Sequence, residues 1–313
     1  MKQAPKIILF FLLLIAHNAS HAITLVYNLR VRRIFTIAAV LERMKSKTLA
    51  TAVPIYFTRS RPLLEERTNL NGCERRRAGG AIINLRHVPS KHLWIAATTA
   101  IATDHGTFTG SDPFHASRTG LDDIVFTAGY RHFVGDKAQL VAYGLAGLPT
   151  RYKLTLEDRH TPLLGTRFYN LGIGGELSYS FISELKRSFA AIAQVRFIHG
   201  FNRSWCPVLP AGSTFQPGNS IDMLFTAQYR KKRTVIEGGY DGTFFANQAI
   251  ITPVETIKAD TVYRHTGYLS LSHASFETFL RKPIVYGAGF NASYAPRIDT
   301  KTFSFWIHGS IVF

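Results

Sequence analysis

The residues of this chain that are able to do chemistry fall into a few local groups. His199-Gly200-Phe201-Asn202-Arg203-Ser204 places a base near a hydroxyl. A serine nucleophile needs a histidine to take its proton and a third group to orient that histidine. Here Ser204 lies farther along, Phe201 occupies the nearer position, and no orienting group can be identified. No catalytic residue is assigned. Asp104, His105, Asp112 and His115 are metal-ligating types in one segment, but loops collect such residues freely, and neither a metal nor a cofactor is expected. Glycine doublets at 79–80, 174–175 and 238–239 lack the strand–helix context of a phosphate-binding loop. The remaining group is cationic: Arg59, Arg61, Arg67, Arg75, Arg76 and Arg77, accompanied by Glu65, Glu66 and Glu74. Guanidinium forks hold carboxylates and phosphates by paired hydrogen bonds, so this segment is an expected anion-binding loop. A solvated loop would carry the same residues.

What could position such groups follows from composition. Of 313 residues, 46% are hydrophobic and only 18% charged, with 23 Phe, 13 Tyr and three Met. Charge is low for a soluble globular protein, and the aromatic excess suits pleated strands. The formal net charge is +17. The N-terminus reads as an export signal over 1–22. Lys2 and Lys6 precede the apolar run Ile7 to Ala16, and Ser20-His21-Ala22 sets small residues where a signal peptidase cuts. That run is too short for a spanning helix, which needs about 20 residues. On an exported chain the basic balance points to lipid headgroups or acidic solutes as partners, not nucleic acid. Cys73 and Cys206 could pair, but two cysteines make no disulfide framework.

From about residue 79 the sequence repeats one rhythm. Strands are expected near 79–88, 92–103, 122–133, 138–147, 167–182, 187–201, 219–230, 233–245, 262–276, 281–295 and 302–313, with a weaker one at 49–58. Polarity alternates along them. Phe303, Phe305, Ile307, Gly309, Ile311 and Phe313 oppose Thr302, Ser304, Trp306, His308 and Ser310; Ile221, Met223, Phe225 and Ala227 oppose Asp222, Thr226 and Gln228. Period two puts one set on each face of a sheet. The segments approach the ~9–11 residues that a tilted strand needs to cross a bilayer.

Short turns at 89–91, 134–137, 183–186, 231–232 and 277–280 alternate with longer connections at 104–121, 148–166, 202–218, 246–261 and 296–301. Counting back makes 59–78 another long external loop and 49–58 the first strand. The expected fold is all-β: an antiparallel transmembrane β-barrel of about twelve strands over 49–313, with both termini periplasmic. Residues 23–48 form a separate N-terminal segment, read as a short helix, a plug or a leader.

An alternating last strand ending in an aromatic, with Phe305, Ile307, Ile311 and Phe313 in place, resembles the bacterial outer-membrane β-barrel class. In that class the terminal aromatic is the assembly signal, which implies Phe313 in that role and the barrel-assembly machinery as a partner. A narrower resemblance begins at Gly120-Leu121-Asp122-Asp123-Ile124 and continues through Phe126, Gly129 and Tyr130. It is similar to outer-membrane proteins linked to phenol degradation, distant relatives of the long-chain fatty acid transporters. That resemblance implies transport of hydrophobic compounds. The N-terminal plug motif of the fatty acid transporters is not found in residues 23–48.

If the apolar rows face lipid, Asp123, Arg131, Glu176, Gln194, Arg196, Asp222, Gln228, Arg230, Glu237, Asp241, Asn291 and His308 point inward as pore-lining residues. The expectation is an outer-membrane channel for small hydrophobic or anionic solutes, with lipopolysaccharide at the arginine cluster. A structural or adhesive barrel with a filled lumen is the alternative. Outer-membrane phospholipases are also twelve-stranded, but Phe201 stands where their pattern has the nucleophile.

Overall fold

The computed structural model describes residues 48–65, 70–109, 114–150, 169–183, 187–204, 213–246, 249–254, 256–258, 261–279, 282–296 and 300–312. The N-terminal segment to residue 47, Arg67, Cys206 and Phe313 lie outside them. Long antiparallel strands dominate: β1 (Thr48–Glu65), β2 (Leu70–His87), β3 (Leu93–Thr109), a short β4 (Phe114–Leu121), β5 (Ile124–Val134), β6 (Ala138–Leu148), β7 (Asn170–Ser183) and β8 (Arg187–Gly200). Beyond them come β9 (Arg203–Ser204), β10 (Thr214–Gln216), β11 (Asn219–Lys231), β12 (Thr234–Ala246), β13 (Ala249–Ile251) and β14 (Thr256–Lys258). The chain ends in β15 (Val262–Phe279), β16 (Lys282–Ala295) and β17 (Thr300–Val312). No described helix is long and apolar enough to cross a membrane.

The strands close on themselves. β1 pairs with β2, β2 with β3, β3 with β5, β5 with β6, β6 with β7 and β7 with β8. The ring continues from β8 through β11, β12, β15, β16 and β17 back to β1. Twelve strands therefore form a barrel, as the loop count predicts. Cross-strand partners followed once round from Arg131 pass Asp241 and Arg76 and reach Gly106 of β3, whose partner is Ala116 of β4. The path misses its start by that offset because closed strands must tilt and stagger.

Burial alternates with the pleat, and its chemistry is inverted relative to a soluble sheet. On β11, Asp222, Leu224 and Thr226 are buried while Met223, Phe225 and Ala227 are exposed. On β12, Glu237, Asp241 and Thr243 are buried while Ile236 and Tyr240 are exposed. Ile173 is 69% exposed, whereas Asp241 is only 2% exposed. An outer surface this apolar suits hydrocarbon, and a closed barrel leaves no unpaired strand edge there. Exposed Tyr130, Phe133, Tyr179, Tyr229 and Tyr286 lie toward the short-turn end, and Tyr169, Tyr263 and Tyr294 toward the long-loop end. Two such bands are where interfacial aromatics settle.

At the short-turn end, Gly135 (φ 59°) and Lys232 (φ 54°) adopt the left-handed conformation that reverses a chain in few residues. Two expected loops at the other end are corrected. Residues 59–65 and 70–78 continue β1 and β2 in unbroken register up to the pair Glu65 and Leu70. Most of the segment 104–121 is likewise the β3–β4 hairpin, from Ile101 opposite Leu121 to Phe108 opposite Phe114. Both were expected as loops, 104–121 as a long connection between two apolar alternating segments and 59–78 by counting back from it. Once a strand leaves the apolar layer, nothing requires an apolar outer row, and backbone pairing alone continues it. The connections after β8 and β12 also carry strand: β9, β10, β13 and β14 join in a small second sheet.

Candidate functional site

One row of cross-strand partners organises the inner wall. Trp94 on β3 faces Gly129 on β5, Gly129 faces Tyr143 on β6, and Tyr143 faces Gly174 on β7. Gly174 faces Arg196 on β8, Arg196 faces Asp222 on β11, Asp222 faces Thr243 on β12, and Thr243 faces Arg264 on β15. All lie in register positions of the inward row. Because the strands tilt, the row climbs from near the short-turn end at Trp94 to near the long-loop end at Arg264.

The two glycines are structural necessities of this row. A Cβ on Gly129 would overlap the Trp94 indole, and one on Gly174 would overlap the Tyr143 ring. Each aromatic thus reaches across the neighbouring strand. Tyr143 OH there accepts a hydrogen bond from Gln194 Nε2. The Trp94 and Tyr143 ring centroids are 6.3 Å apart, and the Arg86 guanidinium carbon sits 4.5 Å from the Trp94 ring centroid. A cation over the indole is attracted by the ring's negative face.

The charged stretch follows. Arg196 Nε and Nη2 both donate to Asp222 Oδ2, at 2.8 and 2.5 Å. Arg196 keeps 14% of its side chain exposed, and Asp222 keeps 5%. Arg264 Nη2 donates to Thr243 Oγ1 at 3.0 Å. Nearer the short-turn end, Tyr268 lies over Gly239, shares a hydrogen bond with Thr226 Oγ1 and donates to Glu237 Oε1 at 3.3 Å. Gln228 Nε2 donates to Glu237 Oε2 at 3.3 Å, and Arg230 Nε to Ser188 Oγ at 3.1 Å. Buried polar groups are held by such partners because each would otherwise be costly.

The residues expected inside the barrel distribute as follows. Arg131, Asp222, Glu237, Asp241 and Asn291 are buried on inward rows, and Glu176, Gln194, Arg196, Gln228 and Arg230 are half-buried on the same rows. Asp123 is buried where β4 gives way to β5: its N–H donates to Asp122 Oδ1 at 2.9 Å, while Asp122 O accepts from Thr99 Oγ1. The Gly120–Ile124 motif is therefore the junction between two strands. His308 stands opposite Gly287 in the register of β16 and β17.

The arginines 59, 61, 75, 76 and 77 lie on the β1–β2 hairpin, with Arg59 opposite Arg76, Arg61 opposite Glu74 and Thr58 opposite Arg77. They are not a loop, and Arg77 is exposed. Cys73 is opposite Pro62. His199 is exposed; its Nδ1 lies 2.7 Å from Asn219 Oδ1 and its ring meets Phe201 edge-on. Among the described residues, no cluster of His, Cys, Asp or Glu could hold a metal ion. His105 is opposite Arg77 across β2 and β3.

Sequence reading missed Trp94, Tyr143, Tyr268, Thr243 and Arg264. Arg264 between Tyr263 and His265 was legible as an inward charge from alternation alone. The aromatics were not, because period two assigns large apolar rings to lipid by default. Their signal was the glycine at the paired position, visible only once the register is known.

No protein-family model and no curated protein matches the chain. Solved structures do. The COG4313 outer membrane channel from Pseudomonas putida F1 is similar with TM-score 0.60 at 14% identity, covering 86% of this chain and 96% of that one. The transport unit of the autotransporter AIDA-I from Escherichia coli is similar with TM-score 0.51 at 7% identity, covering 84% and 90%. With its closed ring, apolar exterior and polar interior, the chain has the fold of the bacterial outer-membrane β-barrel class.

Proposed function

We propose that this protein is a passive outer-membrane channel for small solutes, anionic or hydrophobic, and not an enzyme. The observation that carries the reading is the inversion of the wall: an apolar outer row surrounds an inner row of Arg196, Asp222, Asp241 and Arg264. Charged rows on an inner wall select solutes by field and by hydrogen bonding. In this reading the short turns and both termini are periplasmic, and the long connections and the β1–β2 and β3–β4 hairpins face outward. Exposed Arg77 suits lipopolysaccharide phosphates, and the last strand suits the assembly machinery. Purified protein in planar lipid bilayers should give discrete conductance steps. Silent bilayers, together with no solute flux from vesicles, would overturn the channel.

A filled structural barrel is the second reading, favoured by the near-complete burial of Asn84, Asp123 and Asp241. It requires the same silent bilayers, so one experiment separates the two.

A further inference from the structure

Within the channel reading, we infer that the inner row carries a binding station for aromatic carboxylates, formed by the face of Tyr143 and the guanidinium of Arg196. The two residues are separated in register only by Gly174. The hydroxyl end of Tyr143 lies over that glycine, with Gln194 Nε2 holding its hydroxyl, so the ring is positioned both by the bare backbone beneath it and by its own oxygen. Both side chains keep exposed surface, 14% of it for Arg196, whereas the next members of the row, Asp222 and Thr243, are buried. Tyr143 and Arg196 are therefore the accessible part of this stretch.

Asp222 engages Arg196 through Nε and Nη2 on a single carboxylate oxygen, which leaves Nη1 outside the pair. The ion pair fixes the fork; the remaining nitrogen is placed to donate to a second anion. Neighbouring strands are about 4.7–4.9 Å apart, and a ring lying across Gly174 brings its own face within one such spacing of the guanidinium. A compact acid whose carboxylate is bonded directly to a planar ring matches that separation. Its ring would rest offset on Tyr143 while its carboxylate meets Nη1. On one side Trp94 extends the aromatic surface, and on the other Arg264 offers the next cation along the climb, so the station lies on a continuous path.

The test is block of single-channel current in planar bilayers by benzoate, with cyclohexanecarboxylate as an acid of the same charge lacking an aromatic face. Wild-type protein should bind benzoate about tenfold more tightly than cyclohexanecarboxylate, the factor expected from aromatic stacking. Tyr143→Leu should abolish that difference. Replacing Arg196 and Asp222 together by leucine, which removes a buried pair without stranding one charge, should remove block by both acids. Heat-shifted gel mobility confirms that each variant is a folded barrel. Equal block by the two acids in wild-type protein overturns the station and leaves the channel standing, and that comparison needs no variant. Discrimination persisting in Tyr143→Leu overturns it as well. Absence of any current defeats the channel and the station together.

Discussion

Two arcs of the inner wall solve the same packing problem with different chemistry. Across β8, β11, β12 and β15 the inward rows carry Arg196, Asp222, Asp241 and Arg264, with Arg196 held by Asp222 and Arg264 by Thr243 on adjacent strands. Across β2 and β3 the inward row is small and mostly apolar: Gly80, Ile82, Ala96, Ala100 and Ala102 are buried, and Asn84 Nδ2 donates to Thr98 Oγ1 at 2.5 Å. In the β2–β3 arc the buried charge is Arg86, whose guanidinium lies over Trp94, and small or uncharged side chains fill the row beyond it. The members of the charged arc owe their positions to register, residue against residue.

If that distinction is right, the two arcs should respond differently to substitution. The largest effect belongs to the charged arc. Asp222→Ala removes the carboxylate that Arg196 pairs with while leaving the guanidinium buried, and should lower stability by about 3–5 kcal/mol, measured as a shift in urea unfolding of the reconstituted barrel. A loss below 1 kcal/mol would mean that water already solvates Arg196 and the arc is not held by its pair. In the small-residue arc the sensitivity is to volume. Ala100, 0% exposed, changed to Leu should cost about 1–3 kcal/mol by overpacking in the same assay. If Ala100→Leu costs nothing, that arc borders open space and the two arcs do not differ in packing.

Much of this fold was legible in the sequence, and the reason is physical. A strand between lipid and a polar interior must alternate, so Ile221 to Tyr229 announces its two faces without any tertiary information. The number of strands followed from the alternation of short and long connections. The legible part stops at the rim. Residues 59–65 and 70–78 no longer cross an apolar layer, so alternation gave no signal, and only the register of β1 with β2 shows them as strand. The candidate site was half legible for a related reason. Arg196 and Asp222 stood out as charges on inward rows, but their pairing depends on the relative shift of β8 and β11. Trp94 and Tyr143 were invisible because their inward role rests on Gly129 and Gly174, each on a neighbouring strand. A single chain displays neighbours in sequence, not across a sheet.

The central claim is that adjacent residues of one strand meet different media. Gln194 and Val195 of β8 test it most directly: the first is half-buried on the inner row, the second is 53% exposed on the outer one. Each is replaced by cysteine in protein whose Cys73 and Cys206 are serine, reconstituted in vesicles and treated with a charged, water-soluble thiol reagent. Gln194→Cys should be modified and Val195→Cys spared, because the reactive thiolate forms where water reaches it and not in hydrocarbon. Modification of Val195→Cys by the charged reagent, with Gln194→Cys untouched, would contradict the inverted barrel and every functional conclusion built on it.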